Sequence, residues 1–217
     1  MNDPRPMLAA AKLNLYLEVL GDRPDGYHEI STLYQTVDWG DALSIERSPL
    51  PVFDCETDGI VIPGDPDDNL ALQAAKAYYA AGAVFGGATV RIKKRIPIGG
   101  GLAGGSSDAA AVLRLLEAET RAVGPERLKS VAAKLGSDVP FLLDGGTAVG
   151  TGRGEAIRRL PAAPRMDIVL IIPPFGTETR KVYERVGQRV RRAPKGGLDA
   201  AIAALASGTA SRIREAH

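Results

Sequence analysis

The stretch that decides the fold is PIGGGLAGGSS, residues 97–107, which places five glycines within the seven positions 99–105. A glycine run this dense carries a large entropic cost unless the backbone must adopt conformations, or accept close approaches, that side chains would prevent. A helical pattern follows, from Ser107 to about Val123. Because the start of a helix offers about four unpaired N–H groups and roughly half a positive charge, the run predicts a cradle for phosphate. The serines at 106–107 are predicted to cap this helix and to offer a hydroxyl to phosphate or Mg²⁺.

A ligand-free turn and a dinucleotide-binding loop are the two alternatives for this run. Gly99, Gly101 and Gly104 match the pattern G-x-G-x-x-G, which requires a buried, apolar parallel strand before it. VRIKKRI, residues 90–96, instead carries four charges in seven positions. No Gly-Lys-[Ser/Thr] follows the run, so it is not a Walker A loop either, and its cationic partner must come from elsewhere. Phosphate binding is therefore favoured.

The composition excludes several classes of protein. The 217 residues carry a net charge of +1, one cysteine and two histidines, which excludes a disulfide framework and cysteine- or histidine-rich metal sites. The basic stretch 180–195 lacks the series of interleaved aromatics that nucleic-acid binding requires. No apolar run reaches the ~18 residues that span a bilayer, and MNDPRPMLAA does not have the layout of a signal peptide. We expect a cytoplasmic monomer or weak homodimer with no nucleic-acid or membrane partner.

The hydrophobic periodicity predicts an α+β fold with an antiparallel or mixed sheet. AKLNLYLEVL, residues 11–20, alternates as a half-buried strand does. The other predicted strands are Ile30–Val37, Ala42–Glu46, 88–96 and the apolar 166–174. The predicted helices are 67–82 with Asp68 or Asn69 as its cap, Ser107 to about Val123, 125–135, 177–192 and 199–206.

Three segments resemble the motifs of a known superfamily. PIGGGLAGGSSDAAAVL, residues 97–113, resembles the phosphate-binding motif of the GHMP small-molecule kinases. AKLNLYLEVLGDRPDGYHEISTLYQTV, residues 11–37, resembles the N-terminal signature of one family among them, the kinases of 4-diphosphocytidyl-2-C-methyl-D-erythritol. LGSDVPFLLDGGTAVGTGRGE, residues 135–155, resembles the catalytic segment of that family. The similarity runs in order from Lys12 to about Tyr183.

The resemblance implies a GHMP kinase architecture, with a ribosomal-S5-like N-terminal domain over 1–158 and an incomplete ferredoxin-like C-terminal domain over 159–217. It implies phosphorylation of the 2-hydroxyl of cytidine diphosphate-linked methylerythritol, with ATP and Mg²⁺, in non-mevalonate isoprenoid precursor biosynthesis. Family members continue with a further glycine-rich, SGSG-like motif, and none occurs here, so we expect a C-terminally truncated copy. The alternatives are another GHMP kinase, acting on mevalonate-like or homoserine-like alcohols, and an inactive nucleotide-binding remnant.

The resemblance also assigns catalytic residues. Lys12 and Asn14 are two apart, so both project from one face of a strand. The family pattern implies that Lys12 lies at the reaction centre, that Asn14 touches the substrate, and that Asp138 is the general base.

Two binding regions are implied in the same way. For cytidine, Tyr27 stacks on the ring, His28 bonds its polar edge, Thr179 contacts substrate and Tyr183 provides the opposite aromatic wall. The implied ATP-binding residues are Asn69, Pro97, Gly99, Gly100, Gly101, Leu102, Ala103, Gly104, Gly105, Ser106 and Ser107, with Ser107 also as a metal ligand. Local sequence alone makes Asn69 a helix cap and makes Asp108 an ordinary acid in the first turn of a helix.

Overall fold

The computed structural model describes residues 6–173, 175–176, 182 and 197–208. These residues fall into two compact units. Unit 1 contains the described residues up to Ala11, with Val37–Ile98 and Leu102–Asp144, and unit 2 contains Lys12–Thr36, Gly99–Gly101 and the described residues from Gly145 onward. The two longest strands, β1 (Met7–Asp22) and β2 (His28–Ser48), contribute residues to both units. The division into domains 1–158 and 159–217 stays a prediction.

The sheet of unit 1 is mixed, as the sequence predicts. Strand β4 (Gly87–Lys94) pairs antiparallel with the second half of β2 and parallel with β3 (Phe53–Gly59). Strand β3 was not predicted, because FDCETDG is largely polar and exposed and has only two apolar side chains, Phe53 and Cys55. Along β4 the side chains of Val90 and Ile92 are buried, whereas Arg91 and Lys93, which alternate with them, are exposed.

Strand β2 corrects one prediction. Ile30–Val37 and Ala42–Glu46 were predicted to be separate strands, but β2 is one continuous strand of 21 residues. Gly40 lies against β1: an added Cβ would be 2.1 Å from the carbonyl oxygen of Ala9. Only glycine permits this approach, so the segment DWGD, which resembles a turn in sequence, continues the strand.

Four helices complete unit 1. They are α1 (Leu70–Gly82), α2 (Gly104–Thr120), α3 (Pro125–Leu135) and the six-residue α4 (Val139–Asp144). Helix α1 begins after a 3₁₀ turn, Pro66–Asp68, and Asn69 is its N-cap. Helix α4 was not predicted, because six residues are too few to show a helical period.

Unit 2 contains further strand pairs and an apolar core. The first half of β2 pairs antiparallel with β5 (Thr147–Thr151), which pairs antiparallel with β6 (Ala156–Arg159). Helix α5 (Gly197–Ser207) confirms the helix predicted over 199–206. Its buried residues pack in one apolar cluster with the sheet, formed by Tyr16, Leu33, Val149, Ala201, Ala204 and Leu205.

The prediction of a buried strand over 166–174 is wrong. The described part of this segment has no strand, and Val169 and Ile171 are 86% and 91% exposed. An apolar sequence forms a strand only where another strand supplies hydrogen-bond partners, and none of the described strands pairs with it. The helix predicted over 177–192 lies outside the described residues except for Val182. Within the described ranges, no helix has the length and apolar character that crossing a membrane requires.

Candidate functional site

The backbone of residues 97–107, which we call the glycine segment, has the conformation that its five glycines predict. Gly99 and Gly101 have φ of 71°, and Ala103 has φ of 56°, all in the left-handed region. Helix α2 begins at Gly104, and its N-cap Ala103 makes no side-chain cap hydrogen bond. The prediction that the serines at 106–107 cap the helix is therefore wrong. The helix begins at Gly104, so both serines lie within its first turn. A first turn with no side-chain cap leaves backbone donors for an anion.

The start of α2 packs closely against neighbouring strands of unit 1. A Cβ added at Gly104 would lie 2.9 Å from Cγ2 of Ile96 and 3.0 Å from Nζ of Lys94. The hydroxyl of Ser107 donates to the carbonyl oxygen of Ala10 at 2.6 Å, and Ser107 is buried. Gly104 is thus required by helix–strand packing, and Ser107 ties the helix to β1. These contacts fix the position of the first turn.

Ser107 was also predicted to bind Mg²⁺. Because its proton is donated to Ala10, only an oxygen lone pair remains for a cation. The described residues contain no group of three or more His, Cys, Asp and Glu side chains able to hold a metal by themselves. This donor set fits Mg²⁺ carried mainly by nucleotide phosphates, which is how the ion is usually bound beside ATP.

Beneath the start of α2 lies a buried charge cluster that the sequence analysis missed. Nζ of Lys94 donates to Oδ2 of Asp41 at 2.5 Å and to Oδ2 of Asp108 at 2.6 Å, and all three side chains are at most 2% exposed. Oδ1 of Asp41 also accepts the backbone N–H groups of Arg95 and Ile96, at 2.5 and 2.9 Å. The cluster therefore joins β2, β4 and α2.

Asp108 has the least favourable environment of the three side chains in this cluster. Its Oδ1 is buried without a hydrogen-bond partner among the described residues. Burial raises its pKa to about 7, which outweighs the opposing effect of Lys94, and the nearby Asp41 carboxylate raises it further. The interpretation of Asp108 as a routine first-turn acid is wrong, because the helix begins at Gly104 and the carboxyl group faces the interior.

The alternation along β4 contained a signal for this cluster. Lys94 shares a strand face with Val90 and Ile92, so a period of two places its side chain in the core. A lysine on an apolar face requires a buried acid, and a search for that acid leads to Asp41 on the neighbouring strand.

Two further predicted residues lie in unit 1. The side chain of Asn69 caps α1, accepting the N–H of Ala71 at 2.9 Å, and its Nδ2 donates to Sγ of Cys55 at 3.4 Å. The capping role is confirmed, and the contact with adenosine stays a prediction. Asp138 directly precedes α4 and is half-buried, and its carbonyl oxygen accepts the N–H of Leu142 at 3.2 Å. The other predicted ATP-binding residues, Pro97, Gly100, Leu102, Gly105 and Ser106, belong to the glycine segment, and their contacts with ATP stay predictions.

In unit 2, Lys12 is buried, at 7% exposed, rather than solvated as most strand lysines are. Its Nζ donates to Oδ1 of Asn14 at 2.7 Å and lies 5.3 Å from the ring centroid of Tyr34. Asn14 in turn donates to Oγ1 of Thr32 at 2.7 Å, which donates to the carbonyl oxygen of Tyr16 at 2.7 Å. The structure thus brings Lys12 and Asn14 together. Burial of an ammonium group is unfavourable, so a lysine held in this way is a candidate functional residue.

Tyr27 and His28 lie where β2 begins, after the turn at 23–26. The ring of Tyr27 is exposed, and the guanidinium carbon of Arg153 lies 4.7 Å from its centroid. Nδ1 of His28 is 2.7 Å from Oδ1 of Asp22, which orients the imidazole. Arg153 was not predicted, because a cation–π contact between loops more than 100 residues apart leaves no pattern in the sequence. Thr179 and Tyr183, the other predicted substrate residues, lie outside the described residues.

Comparison with known proteins agrees with these features. The model of the GHMP kinases N terminal domain matches residues 69–146, which include α1, the glycine segment and α4. A crystal structure of homoserine kinase from Cytophaga hutchinsonii, 16% identical, covers 100% of this chain and 72% of that chain with a TM-score of 0.64, which shows the shared fold alone. The fold and the uncapped glycine segment thus define a GHMP kinase, a class whose members use ATP as a substrate.

Relatives of higher sequence identity show which family within this class the chain resembles. The chain is 42% identical over 207 residues to 4-diphosphocytidyl-2-C-methyl-D-erythritol kinase of Pelotomaculum thermopropionicum, covering 95% of this chain and 71% of that protein. A crystal structure of 4-(cytidine 5'-diphospho)-2C-methyl-D-erythritol kinase, 38% identical, covers 94% of this chain and 72% of that chain with a TM-score of 0.75. The chain belongs to the family of 4-diphosphocytidyl-2-C-methyl-D-erythritol kinases.

The match covers only part of the relatives. The kinase of Heliobacterium modesticaldum is 42% identical over 189 residues, which are 83% of this chain and 58% of that protein. The chain therefore spans between 58% and 71% of these two relatives.

Proposed function

We propose that this chain transfers the γ-phosphoryl group of ATP to the 2-hydroxyl of 4-diphosphocytidyl-2-C-methyl-D-erythritol, in non-mevalonate isoprenoid precursor biosynthesis. The observation that carries the proposal is the 42% identity over 207 residues with a kinase named for this substrate. The aligned share, 95% of the chain, includes all three motif segments.

ATP is proposed to bind at the glycine segment. The left-handed backbone at Gly99, Gly101 and Ala103 and the uncapped start of α2 present N–H groups rather than side chains to the phosphates. Mg²⁺, bound to the phosphates and to the hydroxyl oxygen of Ser107, would neutralise charge that develops during transfer.

The chemistry is assigned to two side chains. Phosphoryl transfer passes through a loose transition state, so it depends on positioning and charge stabilisation more than on a strong base. Asp138, at the start of α4, accepts the proton of the 2-hydroxyl. The ammonium group of Lys12, oriented by Asn14, offsets the negative charge of the moving phosphoryl group.

The cytidine part is assigned to the loop around Tyr27. The exposed Tyr27 ring stacks on the pyrimidine, and His28, oriented by Asp22, bonds its polar edge. Thr179 and Tyr183 are proposed to complete this pocket. We further propose a monomer or weak homodimer in the cytoplasm, and the single cysteine supports a reducing compartment.

A coupled assay of ADP release tests the proposal. The purified chain is assayed with Mg·ATP and each of three alcohols: the cytidine diphosphate-linked methylerythritol, mevalonate and homoserine. A second protein joins this chain to the part of the Pelotomaculum kinase that the match does not cover. We expect turnover with the cytidine compound in at least one of the two proteins.

Turnover with mevalonate or homoserine instead would show a different GHMP kinase. Nucleotide binding without turnover in either protein would show an inactive nucleotide-binding remnant. Either result overturns the proposal.

A further inference from the structure

Residues 152–155 form the turn between β5 and β6. This turn lies against the loop that carries Tyr27, residues 23–27, which we call the Tyr27 loop. The backbone N–H of Ile30 donates to the carbonyl oxygen of Gly152 at 2.8 Å, and the N–H of Gly152 donates to Oε1 of Glu29 at 3.1 Å. Both bonds involve the backbone of Gly152, so they join the turn to the start of β2 at one residue. The turn and the Tyr27 loop therefore form one connected region of unit 2.

The backbone of this turn is closely fixed. Gly152 and Gly154 have φ of 71° and 106°, values that favour glycine. A Cβ at Gly154 would lie only 2.3 Å from Oη of the buried Tyr34. Arg153, between the two glycines, thus extends from a backbone that has little room to move.

The side chain of Arg153 is oriented as well. Oε2 of Glu155 accepts its backbone N–H at 2.6 Å, and Oε1 of Glu155 lies 3.8 Å from its Nε. The guanidinium group then lies over the Tyr27 ring, with 4.7 Å between its carbon and the ring centroid. An exposed tyrosine ring ordinarily samples several rotamers, and a cation on one face selects one of them.

We propose that Arg153 is a positioning residue for recognition of the pyrimidine nucleotide: it covers one face of Tyr27 and presents the other face to the base. The inference rests on the proposed function only in the assignment of Tyr27 to the cytidine part of the substrate. Arg153 acts through Tyr27 and has no part in phosphoryl transfer. Its loss therefore weakens binding of the nucleotide and leaves the chemical step unchanged.

The test combines binding with kinetics. The dissociation constant of CDP is measured by calorimetry for the wild-type chain, Arg153→Ala, Tyr27→Ala and the double variant. Arg158→Ala, an exposed arginine on β6, is the matched control. KM and kcat for the cytidine substrate are measured on the same proteins, or on their extended forms where only those turn over.

For Arg153→Ala we expect CDP affinity to fall by about 3- to 10-fold, the range of an exposed to partly desolvated cation–π contact. KM for the cytidine substrate rises by a similar factor, while kcat and KM for ATP stay unchanged. In the Tyr27→Ala background the same change has no further effect, because the ring that Arg153 orients is gone. Arg153→Lys restores part of the affinity.

Equal CDP affinity of Arg153→Ala and Arg158→Ala overturns the inference, and so does an undiminished effect of Arg153→Ala in the Tyr27→Ala background. A fall in kcat at unchanged KM also overturns it. The proposed function fails separately, if neither the wild-type chain nor its extended form phosphorylates the cytidine compound. CDP binding that weakens only in Arg153→Ala and Tyr27→Ala would then still support the inference.

Discussion

The glycine segment and the Tyr27 loop are built in different ways. The glycine segment offers backbone donors, and its helix is fixed from below by a buried lysine and two buried carboxylates. The Tyr27 loop offers side chains, and its ion pairs, such as Arg23 with Glu29, are partly exposed. Backbone donors suit the phosphates that we propose to bind at the glycine segment, whereas side chains suit the base that we propose to bind at the Tyr27 loop. Changes in the first region should therefore affect stability, and changes in the second should affect substrate binding.

The largest effect is expected from Lys94→Met. The change leaves two buried carboxylates facing each other without a cation, which destabilises the fold by about 3–5 kcal/mol. Thermal unfolding should show a fall in Tm of roughly 6–20 °C for a chain of this size. Lys93→Met, one residue earlier on the exposed face of β4, is the control and should change stability by less than about 0.5 kcal/mol. Equal shifts in Tm for Lys94→Met and Lys93→Met would mean that the buried charge cluster does not stabilise unit 1.

A smaller effect is expected from Gly104→Ala. The new methyl group would be 2.9 Å from Cγ2 of Ile96, and relief of that contact should destabilise the chain by about 1–3 kcal/mol. At Gly105 the nearest atom would be 3.5 Å away, an ordinary contact. Gly105→Ala should therefore leave stability unchanged or raise it by up to about 1 kcal/mol. Urea unfolding of both variants checks this pair, and a greater loss for Gly105→Ala would contradict the packing described for α2.

The pH dependence of stability reports on Asp108. Its pKa is about 7 in the folded chain and near 3.8 unfolded, so between pH 4 and 7 the folded chain holds a proton that the unfolded chain has released. Stability should therefore fall as pH rises through this window, by at most about 1.4 kcal/mol per pH unit for this group. Between pH 4 and 7, the urea unfolding midpoint of Asp108→Asn should lack the fall with rising pH that the wild-type chain shows. Asp67→Asn, with an exposed side chain, should keep it. An unchanged slope in Asp108→Asn would show that Asp108 stays ionised.

The smallest effect on stability is expected in the Tyr27 loop. Arg23 pairs with Asp25 and Glu29 at distances of 3.2 and 2.5 Å, but on a solvated surface such pairs contribute little. Arg23→Ala should shift the unfolding midpoint by less than Gly104→Ala does, while weakening CDP binding by loosening the loop. A shift in the unfolding midpoint of Arg23→Ala as large as that of Lys94→Met would mean that the two regions do not differ in their effect on stability.

Sequence reasoning was most successful where residue type leaves few choices. Five glycines before a helix determine a backbone conformation, and the period-two alternation of β1 determines a strand. It failed where the outcome depends on distant partners. Residues 166–174 have the composition of a buried strand but no strand partner among the described residues, and Gly40 continues β2 only because β1 lies against it.

The candidate site divides in the same way. The shared strand face of Lys12 and Asn14 and the capping role of Asn69 could be predicted from position within an element. The contact of Arg153 with Tyr27 could not, because it depends on how two turns pack. The Lys94 cluster lies between these cases, since the alternation of β4 indicated a buried lysine but did not identify both of its acids.

The assignment of the general base to Asp138 is tested most directly by the phosphorylation rate of Asp138→Asn with both substrates saturating. General-base catalysis contributes 10²–10⁴-fold, so we predict that kcat falls by about 100-fold or more while the dissociation constant of ATP stays unchanged. Asp144→Asn, an exposed aspartate at the end of α4, should keep its rate within about twofold. A kcat for Asp138→Asn equal to that of Asp144→Asn would contradict the mechanism proposed for this chain.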